Sequence, residues 1–137
     1  MLPDLSIQVS TAQGQVPITV FHIKGDIDGK TSAQLISQAE ASVNDGTRNL
    51  LLDLTQVPYI SSAGLRALHQ IYTLLRSKST SEGSNAAIQK GLADGTYRAC
   101  HLKLLNPSKA VAHVLQMAGF DMYIEMYTNR KEALDSF

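Results

Sequence analysis

The segment Asn49-Leu50-Leu51-Leu52-Asp53-Leu54 constrains the fold more than any other stretch of the chain. It is short, almost wholly apolar, and follows a turn at Gly46. A strand with one face in water alternates apolar and polar residues. A strand that is apolar on both faces is covered on both, as in parallel sheets packed with helices. The run therefore predicts a central parallel strand in an α/β fold.

The flanking segments agree. Ile18–Ile23 sets Ile18, Val20 and His22 on one face and Thr19, Phe21 and Ile23 on the other, an inner-strand pattern. Leu5–Ser10 reads as a shorter edge strand, paired antiparallel with it through a turn at Gln13-Gly14-Gln15. Gly25–Gly29 is a loop. From Thr31 the period turns helical, with Leu35, Ile36, Ala39 and Val43 on one stripe, Thr31 or Ser32 as cap and Gly46 past the end. A second helix carries Leu65, Leu68, Tyr72 and Leu75 and is capped by Ser61 or Ser62. His101–Leu105 reads as a strand, and Asn106 as a cap with Pro107 in the first turn. Val111, Val114, Leu115 and Ala118 form a third helical stripe closed by Gly119. Tyr123–Tyr127 is the last predicted strand, and Asn129 with Glu132 makes a capping box for a final helix.

Ser79–Ala99 is rich in Ser, Gly, Asn and Ala. It reads as a long surface loop with one helical turn near Ala86–Lys90, a flexible insertion in a single domain spanning residues 1–137. The expected order is β-β-α-β-α-β-α-β-α, a mixed and mostly parallel sheet with right-handed crossovers.

Composition narrows the function classes. Twelve basic residues balance twelve acidic ones, so there is no electrostatic footprint for nucleic acid or an anionic membrane. Cys100 is the one cysteine, which excludes an intrachain disulfide and fits a reducing compartment. The start lacks the pattern of a signal peptide, and no apolar run nears the roughly 18–20 residues of a membrane span. A cytoplasmic address is expected.

Most catalytic signatures are missing. His22, His69, His101 and His113 are not at zinc-ligand spacings and read as structural or solvent-facing. No dinucleotide fingerprint, P-loop or nucleophile elbow is present. Asp26, Asp28 and Asp53 lie near strand ends, where α/β proteins bind ligands. They read as loop, turn and strand-end groups rather than as a metal site.

Ser61-Ser62-Ala63-Gly64 is more specific, because it follows a strand and opens a helix. One serine suffices as a cap. A glycine inside a helix costs up to about 1 kcal/mol. The small residues Ala63 and Gly64 are therefore expected to keep the surface open to a partner or a phosphate. A phosphoserine carries about −1.5 to −2 charge at neutral pH, and a helix N-terminus stabilises such a group by about 0.3–1 kcal/mol. The same charge disrupts a neutral, packed interface.

Taken together, these segments resemble the STAS domain, the sulphate-transporter and anti-sigma-factor-antagonist family. Gly25-Asp26-Ile27-Asp28 resembles its loop after the second strand, and Leu51-Leu52-Asp53-Leu54 its central strand. Tyr59-Ile60-Ser61-Ser62-Ala63-Gly64-Leu65 resembles its Asp-Ser-small-Gly-Leu turn, and Leu115–Gly119 and Glu132-Ala133-Leu134 match late features. The resemblance implies an anti-sigma factor antagonist. Such a domain captures an anti-sigma factor, often a serine kinase, in its unphosphorylated form, and a serine phosphatase resets it. The implied phosphorylation site is Ser62, with Ser61 as an alternative because it stands where the family often has Asp. With the outward residues of the second helix added, the expected partner face comprises Asp26, Asp28, Ser61, Ser62, Ala63, Gly64, Arg66, His69 and Gln70. No catalytic residue, metal, cofactor, direct nucleic-acid contact or membrane insertion is expected. Two alternatives share the fold. One is a non-phosphorylated structural subunit of a transporter or stress-signalling complex. The other is a small anion- or nucleotide-binding domain anchored at the start of the second helix.

Overall fold

The computed structural model describes residues 5–82, 101–122 and 124–137, with the backbone alone for 78–82. Its strands are β1 (Ser6–Gln13), β2 (Pro17–Lys24), β3 (Leu50–Gln56), β4 (Leu102–Leu105) and β5 (Glu125–Tyr127). Its helices are α1 (Ser32–Asn44), α2 (Ser62–Glu82), α3 (Lys109–Met117) and α4 (Arg130–Asp135), with a 3-10 turn at Phe120–Met122. The strands form one five-stranded sheet in the order β1-β2-β3-β4-β5. β1 pairs antiparallel with β2, and the remaining pairs are parallel. The expected central strand is present as β3, which starts one residue later than the Asn49–Leu54 run and continues to Gln56.

Alternation along the strands builds two cores. One face presents Phe21, Ile23, Leu50, Leu52, Leu54, Leu102 and Leu104 to α1, α2 and α3, which contribute Leu35, Leu68, Leu75, Val111 and Leu115. The opposite face presents Ile18, Val20, Leu51 and Leu105 to Ala133, Leu134 and Phe137 around α4. Lys103 lies on that second face, only 2% exposed. Its ammonium donates to Glu125 Oε1 at 3.2 Å and to the Ser136 carbonyl at 3.3 Å, and lies over the Tyr127 and Phe137 rings. Burial with charge, carbonyl and ring partners is the tolerated way to place an ammonium inside.

Several boundaries differ from expectation for physical reasons. β1 runs on to Gln13, because pairing with β2 continues to the turn. α2 continues to Glu82, so Ser79–Glu82 is helix rather than loop; the rest of the expected insertion, including Ala86–Lys90, falls outside the described residues. Neither Thr31 nor Ser32 caps α1 with its side chain in the expected way. The Asp28 carboxylate accepts the Thr31 N–H at 3.1 Å instead, which frees the Thr31 hydroxyl to bind the Asp26 carbonyl at 2.7 Å. Asn106 does not cap α3: it takes a left-handed φ of 54°, and Ser108 accepts from the Val111 N–H. Ala118 is not on the buried stripe but is the exposed C-cap. β5 begins at Glu125, since a 3-10 turn occupies Phe120–Met122; Tyr123 lies outside the described residues. The Asn129 cap is as expected, accepting from the Glu132 N–H.

Candidate functional site

The Gly25–Gly29 loop and the Ser61–Gly64 turn, far apart in sequence, are stitched together by backbone. Ile27 N–H donates to the Tyr59 carbonyl at 3.0 Å, and Ser61 N–H donates to the Ile27 carbonyl at 2.9 Å. These bonds form a single parallel bridge between Ile27 and Ile60. Both isoleucines are buried and belong to the main core, so apolar burial anchors the loop from below.

The loop is shaped by Asp28. Its Oδ1 accepts the Lys30 N–H at 2.9 Å and the Thr31 N–H at 3.1 Å. The Thr31 amide bond, joined by the Lys30 amide and the Thr31 hydroxyl, holds the Asp28 carboxyl below its ordinary pKa despite the opposing pull of desolvation. Asp28 is half-buried and its Oδ1 is turned inward on the loop backbone, while Asp26 is exposed.

The two serines divide their work. The Ser61 hydroxyl accepts the Gly64 N–H at 3.2 Å, and its carbonyl accepts the Leu65 N–H at 2.9 Å. Ser61 is therefore the cap of α2. Ser62, the first helical residue, is exposed, and the cap does not use its hydroxyl. Arg66, His69 and Gln70 are exposed on successive turns of α2.

Gly64 corrects an expectation. It is buried, not a surface contact. A Cβ there would sit 2.6 Å from the Ile27 carbonyl oxygen and 2.7 Å from Ile60 Cγ1. The glycine permits the helix to close on the loop inside the molecule and does not hold the outer surface open. Ala63 is half-buried, and a Cβ added to Gly29 would meet its methyl at 3.8 Å. Asp53 also differs from its strand-end reading. It lies within β3, paired in register with His22 and Leu105.

Tyr59 was missing from the face expected from sequence. It is 52% exposed and shares its backbone with the Ile27 bridge, so it stands at the rim of the site. Its signal was an aromatic residue after Pro58, just before the turn.

A loop and a capped helix start, locked together with an exposed hydroxyl at the seam, define an α/β binding module with a small polar face. A model of the STAS domain matches residues 9–81, and the chain belongs to the STAS domain family. It is 27% identical over 115 residues to BtrV of Bordetella bronchiseptica, named as a candidate anti-sigma factor antagonist, covering 84% of this chain and 82% of that one. Its fold is similar to an anti-sigma factor antagonist from Mycobacterium paratuberculosis, with TM-score 0.71, 21% identity and coverage of 96% and 92%. It is also similar to the anti-sigma factor antagonist SpoIIAA in its unphosphorylated form, with TM-score 0.68, 17% identity and coverage of 95% and 94%. The phosphorylated form of the Bacillus SpoIIAA aligns with TM-score 0.62, 17% identity and coverage of 95% and 97%. Among the described residues no helix is long and apolar enough to cross a membrane, and no cluster of three metal-ligating side chains occurs.

Proposed function

We propose that this chain is an anti-sigma factor antagonist, a binding module that captures an anti-sigma factor with serine-kinase activity and is switched off by phosphate on Ser62. The observation that carries the reading is the division between the serines: Ser61 makes the cap, and Ser62 leaves an exposed hydroxyl at the start of α2. A kinase acts on Ser62 without removing a cap bond. Phosphate there meets a helix N-terminus, which tolerates it. It also adds negative charge to a face that carries the exposed carboxylate of Asp26, which weakens a packed complex by repulsion and desolvation.

The partner face comprises Asp26, Ser62, Tyr59, Arg66, His69 and Gln70, with Asp28 and Ala63 supporting it from below. A serine phosphatase resets the switch in the cytoplasm. The name of BtrV and the two SpoIIAA forms support this reading by likeness alone.

The test is phosphosite mass spectrometry on protein from its native cells, joined to a pull-down with wild type and Ser62→Asp. Phosphate on Ser62 and a partner lost from Ser62→Asp are expected, with about 5–150-fold weaker binding. Phosphate on Ser61 alone moves the switch to the cap. Equal capture by both proteins leaves a constitutive structural subunit.

A further inference from the structure

The half of the second sheet face that α4 leaves uncovered is polar, and its side chains join across four strands or strand ends. Asn106 Nδ2 donates to Thr55 Oγ1 at 3.2 Å, and that hydroxyl donates to Asp53 Oδ1 at 2.6 Å. Asp53 Oδ2 meets His22 Nδ1 at 3.2 Å, and His22 Nε2 meets Ser10 Oγ at 3.0 Å. A carboxylate only accepts, so Nδ1 carries the ring proton, and the Nε2 lone pair accepts the Ser10 O–H. Burial pulls Asp53 upward, but the Thr55 hydroxyl and amide, with His22, outweigh it and hold the carboxyl below its ordinary pKa, so it is ionised at neutral pH.

Serine, imidazole and oriented carboxylate in this order are the arrangement that activates a hydroxyl for acyl transfer. The His22 and Asp53 side chains are 33% and 20% exposed, and both line an open concavity of about 250 Å³. Its charged groups are Asp53, Lys24 and His22 when protonated.

We propose that Ser10 is an activated nucleophile that takes the acyl group of a small activated ester, with His22 as general base and Asp53 as positioning residue. Ser10 Oγ bonds to the ester carbonyl carbon, and its proton passes to His22 Nε2. The bond from carbonyl carbon to leaving oxygen breaks, and the leaving oxygen takes up a proton from His22 or from water. The product is acyl-Ser10, and the proposal is confined to its formation. This site lies on a different surface from Ser62 and stands independently of the proposed switch.

The full chain is treated with p-nitrophenyl acetate, phenolate release is followed, and the product is mapped by peptide mass spectrometry. Acetyl on Ser10 is expected in wild type, with a burst absent from Ser10→Ala and slowed about 100-fold or more in His22→Gln. Asp53→Asn, which removes the carboxylate that orients His22 Nδ1, slows the burst about 100-fold or more, and Asp53→Glu, which keeps a carboxylate, restores part of it. Acetyl confined to lysines, an unchanged burst in Ser10→Ala, or equal bursts in Asp53→Asn and Asp53→Glu overturns the proposal. The peptide map of unaltered protein decides even where a variant fails to fold.

Discussion

On the helix-covered face of the sheet, Phe21, Ile23, Leu50, Leu52, Leu54, Leu102 and Leu104 are all buried among apolar neighbours. On the opposite face the same strands present two different surfaces. Ile18, Val20, Leu51 and Leu105 lie under α4, whereas Ser10, His22, Asp53 and Thr55 lie beyond its reach and bond to one another. The difference shows what a cover does. Where helices exclude water, apolar residues win by burial. Where the cover ends, polar groups keep their hydrogen bonds only by forming a network or by meeting solvent. α4 has six residues and covers only part of the face, so the boundary between these surfaces is sharp.

Substitutions sharpen this contrast. Leu52→Ala, at the centre of the fully covered face, is expected to destabilise the fold most, by about 2–5 kcal/mol in urea unfolding. A smaller loss would mean that the helices collapse onto the cavity. Gly64→Ala drives a Cβ against the Ile27 carbonyl and is expected to cost about 1–3 kcal/mol. It also displaces the Gly25–Gly29 loop, which amide chemical shifts at Ile27 report. Wild-type stability with unshifted Ile27 would show that α2 and the loop are not locked together. Asn129→Ala removes the cap of α4 and is expected to cost about 1 kcal/mol. Its structural effect should be confined to the second face, with increased hydrogen exchange at Ala133 and little change at Leu68.

The gentlest probe is acid. The Asp53 carboxyl has a lowered pKa in the native state, so its contribution to stability is complete above the ordinary carboxylate range and is lost as pH falls through the native value. Asp53→Asn is expected to flatten the acid limb of the stability curve and leave the alkaline limb unchanged. Urea midpoints across the acidic range measure this. An unchanged acid limb would show that the polar half contributes no such linkage.

Much of the site was legible in sequence because its signals are local. Gly25-Asp26-Ile27-Asp28 and Ser61–Gly64 announce a loop and a helix start whatever else the chain does. Which serine caps was not legible, because either fits the local pattern. The Ile27–Ile60 bridge selects Ser61 by fixing its backbone. The role of Gly64 was misread for a related reason. Its neighbour, the Ile27 carbonyl, comes from a loop thirty-odd residues earlier, and local spacing carries no trace of it.

The sequence by itself determined the α/β class, the central strand and the helical stripes, because periodicity is set by backbone geometry and by which side must leave water. Only the tertiary structure decided that Ser62 stands exposed, that Lys103 is buried, and that Ser10, His22 and Asp53 meet in one line. Those three residues lie on successive strands, and strand register, the sum of every pairing in the sheet, is what makes them neighbours.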